Sequence, residues 1–162
     1  MIYETEHDRE IEQEVAKAIE DTFDLYVFKD STQFAEIDYF VTDAFVRLKA
    51  LLEIKSRRYD HNDFDTVYIP KDKIDFLYEH AFKDYKSLSQ FWYAIKWKDK
   101  ITMARIYKEQ DAEMFSKQTP KTVKRKRYKD GVHVGETTGE CYLIPTRRFE
   151  SLDWLKENGI FR

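Results

Sequence analysis

The sequence predicts an α/β domain in which helices flank a central mixed β-sheet. Three observations lead there. A stretch with helical apolar spacing comes first and is followed by three strand-like segments. A second helical stretch follows, and two further strands come after it in hairpin order. At 162 residues the chain has room for one domain with a real core and not comfortably for two.

In chain order, DREIEQEVAKAIEDTF (8–23) carries Ile11, Val15, Ala18, Ile19 and Phe23 at helical spacing and predicts an amphipathic helix. LYVFK (25–29), FAEIDYFVT (34–42) and FVRLKALLEIK (45–55) read as strands. On the third, alternation sets Val46, Leu48, Ala50, Leu52 and Ile54 on one face, with Arg47, Lys49, Leu51, Glu53 and Lys55 on the other. SRRYDHNDFDT (56–66) reads as a loop. Pro70 opens a second helix over KDKIDFLYEHAFKDY, since proline suits a first turn; Ile74, Leu77, Tyr78, Ala81 and Tyr85 share one side. QFWYAIKW (90–97) and ITMARIY (101–107) predict two strands joined at Lys98-Asp99-Lys100. Residues 108–139 carry the weakest pattern. CYLIP (141–145) predicts a last strand, and SLDWLKENG (151–159) a short helix with Ser151 as cap and Gly159 as stop. The expected organisation is a core over about 8–107, a basic hairpin or arm over about 115–135 and a closing strand and helix over 140–162.

Composition narrows the class. Aromatic residues make up 16% of the chain beside only four glycines and three prolines, which excludes a disordered or fibrous chain. The single cysteine, Cys141, allows no intramolecular disulfide; in an apolar strand it reads as a small core residue. No apolar run reaches the roughly 18 residues a membrane helix needs. The N-terminal MIYETEHDRE is too acidic for a signal peptide, so a cytoplasmic or otherwise intracellular protein without a membrane partner is expected. A net charge of −3 argues against a histone-like binder, yet the charge is uneven. Acids crowd the first 24 residues, while KQTPKTVKRKRYK (117–129) has none. Such a chain can turn a positive face to a polyanion while remaining acidic overall.

The residues that suggest chemistry sit at the end of the third strand. Lone charges in an aliphatic strand cost several kcal/mol unless they are paired or have a task. Glu53 and Lys55 point the same way, ~6–7 Å apart. Asp38 is a second acid in apolar surroundings, in EIDYFV. A tight turn at Asp43-Ala44 would set Asp38 opposite Lys49, about 13 Å short of Glu53. For the two acids to meet, the turn must be wider or the strands bulged, and that irregularity is expected near residues 43–47. Two carboxylates and a carbonyl make an oxygen site suited to Mg²⁺ or Mn²⁺. A lysine beside it can orient or deprotonate a water, or stabilise charge on a phosphate.

An acidic helix, then Asp38, then Glu53-Ile54-Lys55 ending a hydrophobic strand: in this order the residues resemble the PD-(D/E)XK nuclease superfamily, over about residues 8–107. EIKSR is similar to the motif of small Holliday junction resolvase-type nucleases. Ile37 stands where the superfamily often has proline, and the second helix lacks the glutamine-and-tyrosine signature of RecB-like exonucleases. The resemblance implies a restriction-endonuclease-like core, with Asp38, Glu53 and the carbonyl of Ile54 as metal ligands and Lys55 serving the attacking water. It also implies a glutamate from the first helix, for which Glu12 is the best placed.

Blander readings apply elsewhere. Asp84-Tyr85-Lys86 matches the same triplet but lacks a hydrophobic strand before it. Asp60, His61, Asn62, Asp63 and Asp65 lack the glycine and distal glutamate of an EF-hand and read as a polar loop. His7, His80 and His133 have no partner at ligand spacing. Phe91-Trp92-Tyr93 reads as core rather than as a base-stacking surface. The basic stretch with Lys117, Lys121, Lys124, Arg125, Lys126, Arg127 and Lys129 is expected to contact phosphates, as are Arg57 and Arg58 next to the motif.

These readings converge on an Mg²⁺-dependent deoxyribonuclease, with Mn²⁺ able to substitute. A structure-selective endonuclease of recombination or repair, acting as a homodimer on branched DNA, is the first expectation; nonspecific endonuclease and exonuclease stand beside it, and RNA remains an open substrate. A non-catalytic DNA-binding protein on the same scaffold, or a protein-interaction domain, is the alternative from another class.

Overall fold

The structure is a computed structural model that describes residues 6–29, 37–129 and 132–159, with the side chains of residues 125–129 and 137 excepted. A long helix, α1 (Glu6–Phe23), precedes β1 (Tyr26–Lys29), β2 (Tyr39–Thr42) and β3 (Leu48–Ser56). β4 (Thr66–Pro70) leads into α2 (Lys71–Phe76), a π-helical turn (Leu77–Ala81) and α3 (Phe82–Asp84). β5 (Gln90–Lys96) and β6 (Ile101–Tyr107) follow, then α4 (Ala112–Ser116), β7 (Lys121–Lys129) and β8 (Val132–Pro145). A 3₁₀ turn (Thr146–Arg148), β9 (Glu150–Ser151) and α5 (Leu152–Glu157) close the described chain.

The central sheet has six strands in the order β1-β2-β3-β5-β6-β9. β3 and β5 run parallel, and the other registered pairs in it are antiparallel, so the sheet is mixed. A parallel pair needs a long crossover; β4 and the helical segment 71–84 supply it. A second sheet of three strands, β4-β8-β7, is also antiparallel.

Both faces of the central sheet are covered. On one, Val15 and Ile19 of α1 and Leu152 and Leu155 of α5 pack with Val41, Ala50, Leu52, Ile54, Trp92 and Met103. On the other, Ile74 and Leu77 of the second helical segment pack with Val67, Ile69 and Ile144 of the small sheet against Leu51, Phe91, Tyr93 and Ile95. Strands buried on both sides read as continuous apolar runs, which is why ALLEI and FWYAI look as they do. The aromatic triplet Phe91-Trp92-Tyr93 is wholly buried core, and Cys141 is buried in β8. Among the described residues no helix is long and apolar enough to cross a membrane.

Several sequence expectations need correction. The third strand starts at Leu48, not at residue 45, because Asp43 folds residues 43–47 into a turn. The second strand is described only from Tyr39; residues 34–36 lie outside the described residues. TVYIP, of which the sequence placed Thr66 in a loop and Pro70 at a helix start and left residues 67–69 unassigned, is β4, with Pro70 ending the strand at the N-cap of α2. The last strand is not five residues but the 14-residue β8, paired with β4 and β7 in the second sheet. Leu48 packs with the cluster of Leu51, not with Ala50 and Leu52, because an extra residue in β3 reverses the alternation there. The closing helix forms as expected: Ser151 Oγ accepts the Trp154 N–H at 3.2 Å, and Gly159 takes a φ of 73° after it.

Candidate active site

The expected irregularity lies where β2 turns into β3. Asp43 Oδ1 accepts the backbone N–H groups of Phe45 at 2.8 Å and Arg47 at 3.0 Å, and Oδ2 accepts Arg47 Nε–H at 2.9 Å. These bonds hold Val46 at a φ of 61°, a conformation a β-branched residue rarely adopts. With them, the Arg47 N–H above all holds the Asp43 carboxyl below its ordinary pKa. Beyond this wide turn Thr42 pairs with Leu48 but Val41 pairs with Ala50, so Lys49 is the bulged residue.

Turn and bulge together slide β3 along β2. The last registered pair is Tyr39 with Leu52. Asp38 immediately precedes β2, and its neighbour Ile37 packs in the Leu51 cluster, so the slide brings the start of β2 level with the end of β3 that carries Glu53. The slide shortens the offset of about 13 Å along the strands that a tight turn would have left between the two acids.

Glu53 is fully buried. Its Oε1 lies 3.2 Å from Lys55 Nζ and 3.3 Å from Lys73 Nζ. Neither carboxylate oxygen has a hydrogen-bond partner among the described residues, so the lysines lie within ion-pairing range without being aimed for hydrogen bonds. A carboxylate taken out of water and left without hydrogen bonds needs an explanation. A buried carboxylate whose oxygens lack hydrogen bonds fits a hard divalent cation, and Glu53 meets that description. Among the described residues no three acidic, histidine or cysteine side chains gather closely enough to hold a metal.

Glu12 is not brought to this place. It sits on α1, which covers the Ala50–Leu52–Ile54 face, and its Oε2 accepts the Tyr39 hydroxyl at 2.7 Å with Lys29 Nζ at 3.7 Å. Arg57 is tied to the end of the sheet: its guanidinium donates to the Ser56 carbonyl at 3.1 Å and the Tyr93 hydroxyl at 3.5 Å. That hydroxyl donates in turn to the Tyr68 carbonyl of β4 at 3.3 Å. Arg58 is exposed. Lys121 and Lys124 are exposed on β7, in register with Cys141 and Thr138. Arg125, Lys126, Arg127 and Lys129 continue that strand opposite Thr137, Glu136, Gly135 and Val132.

Lys73 escapes a motif search because it lies eighteen residues beyond Lys55, in the first turn of α2. One signal was available. A cation in a first turn is the wrong sign for the positive end of a helix and asks for another partner.

Fold and site together define the class: a mixed six-stranded sheet flanked by helices, with an acid–X–lysine triplet ending its central strand, is a restriction-endonuclease-like fold. The family described as "Phage putative PDDEXK endonuclease" matches residues 1–127, and the chain belongs to that family of the PD-(D/E)XK nuclease superfamily. Among proteins of curated function, none matches the chain.

Proposed function

We propose that the protein is a metal-dependent deoxyribonuclease, an endonuclease that is structure-selective or nonspecific, with its reaction centre at Asp38, Glu53 and Lys55. One observation supports this reading: a fully buried Glu53 without a hydrogen bond, at the end of β3 and beside two lysines. An ordinary surface ion pair would not be worth that desolvation.

Asp38, Glu53 and the Ile54 carbonyl would hold Mg²⁺ or Mn²⁺, which supplies Lewis-acid polarisation of the phosphoryl oxygen and acidifies water. Lys55, about one-third exposed in its side chain, reaches solvent from beside Glu53 and orients the attacking water. Lys73, less exposed, balances the buried Glu53 charge. Glu12 serves by fixing Tyr39. The basic strand β7, with Arg57 and Arg58 next to the motif, holds the phosphate backbone and reads no base identity. A homodimeric assembly and a role in recombination or repair belong to this proposal.

Duplex, single-stranded, flapped and four-way DNA, together with a single-stranded RNA, incubated with Mg²⁺, Mn²⁺ or EDTA, test it. Cutting that requires a metal and disappears in Glu53→Ala and Lys55→Ala is the expected result. Intact substrates, bound equally by wild type and both variants, would replace it with a non-catalytic binding protein.

A further inference from the structure

The sheet face that carries Glu53 continues into aromatics that are exposed at its β1 edge. Phe40 pairs with Leu51, two residues before Glu53, so the three share one face. Phe28 pairs with Phe40 across β1 and β2, and their rings stack with centroids 5.5 Å apart and planes 28° apart. Tyr26 stands next to Phe28 on the same face, opposite Thr42. Tyr26 is 50% exposed and Phe28 45%, and Phe40 is half-buried, although Tyr39, Phe91, Trp92 and Tyr93 of the same sheet are buried. An aromatic strip of this kind on a monomer surface marks a contact site.

Its ends bear on what it could contact. One end leads to the buried Glu53. The other is the 43–47 turn, where Arg47 and Lys49 share the single carboxylate of Asp43, leaving a net positive charge; their side chains are 69% and 44% exposed. Rings flanked by cations on one side and a metal-type oxygen site on the other suit a polyanion that also has flat apolar faces. A nucleic-acid strand is such a ligand. Residues two apart on a strand are ~7 Å apart, about twice the 3.4 Å rise between stacked bases of a duplex. The strip therefore fits bases that have left the stack.

We propose that Tyr26, Phe28 and Phe40 form a stacking platform for unpaired bases of the strand to be cut, so that the substrate class is DNA with a single-stranded segment at the cleavage point. This rests on the nuclease reading above for the word "cut"; the binding part stands without it.

Binding in EDTA separates the two. A short single strand carrying 2-aminopurine and the corresponding blunt duplex are titrated against wild type, Tyr26→Ala, Phe28→Ala and Phe28→Trp, each checked for an unchanged melting curve. Wild type should quench the 2-aminopurine of the single strand by stacking. Each alanine variant should weaken single-strand binding about tenfold, the value of one stacked base, while duplex binding changes less than about twofold. Phe28→Trp should keep the affinity. Single-strand affinity unchanged in both alanine variants, equal losses on both DNAs, or no quenching would overturn the platform. So would a concentration-dependent dimer that Phe28→Ala dissolves while DNA binding stays intact, since a second copy would then be the occupant. If the platform binds as expected but no metal supports cutting, only the nuclease reading fails.

Discussion

Glu53 Oε1 lies 3.3 Å from Lys73 Nζ, on a helix twenty residues further along the chain. The contact joins the end of β3 to the first turn of α2 and gives a buried carboxylate a second cation. Lys73→Met removes it and leaves Lys55 alone against a fully buried charge. We expect a loss of about 1–3 kcal/mol in urea unfolding. Adding Glu53→Gln should recover most of it, because the unbalanced charge goes too. A single variant as stable as wild type would show that Lys73 does not support Glu53.

The turn that sets the register depends on the Asp43 side-chain oxygen as an acceptor, and ionisation of the carboxyl strengthens its bonds. Its folded pKa is depressed, chiefly by the Arg47 N–H, from an ordinary 3.8. The sign follows: the contribution is complete above the unfolded value and is lost as pH falls through the folded one. The amide signals of Phe45 and Arg47 should move together below about pH 4. Asp43→Asn keeps an oxygen acceptor and should stay near wild type in cleavage at neutral pH. Asp43→Ala removes the acceptor and should slow cleavage about tenfold or more, as Asp38 slips relative to Glu53. Equal activity in both variants would mean that the turn does not hold the centre.

The 35 residues beyond the family match are part of the fold. β8 lies between β4 and β7, and Arg148 binds Asp111 through two bonds of 3.1 and 3.0 Å while donating to the Arg105 carbonyl at 2.8 Å. Asp111 is buried, so Arg148→Ala should cost about 3 kcal/mol by leaving it unpaired. A chain ending at residue 127 should lack a cooperative melting transition by circular dichroism. A sharp transition in that chain would contradict the packing described.

Strand β7 should act through charge alone. Replacing Lys121, Lys124, Arg125, Lys126, Arg127 and Lys129 with glutamine should leave the core's melting curve unchanged. The slope of log affinity against log salt should fall by about 0.7–0.9 for each phosphate that the strand no longer neutralises. An unchanged slope would remove the strand from the DNA interface.

The sequence was informative where local pattern and tertiary environment agree. The spacing of Val15 and Ile19, the ALLEI run and the hairpin around residues 98–100 each report their burial directly. The triplet Glu53-Ile54-Lys55 was legible for the same reason, as charge out of place in an apolar strand. What sequence hides is covering. Alternation suggests that the Glu53 face is solvated, whereas α2 and a second sheet bury it, and that sheet's strand TVYIP is short and ends in proline. Lys73 meets Glu53 only through that layer. The need for a wide turn followed from strand arithmetic, but the role of Asp43 in building it and the bulge at Lys49 depend on hydrogen bonds that no periodicity encodes. The aromatic strip is hidden in a similar way: FWY stands out by its density and is core, while Tyr26 and Phe28 lie in a short edge strand.

The central claim is that Asp38 and Glu53 act as one unit, and single-turnover cleavage of the best substrate by Asp38→Asn, Glu53→Gln and the double variant tests it most directly. Each single change should cost about a thousandfold or more, and the double variant should be no slower than the worse single one, because residues acting together lose their contribution once. Losses that add in the double variant, or a Glu53→Gln protein that cuts like wild type, would contradict a shared reaction centre.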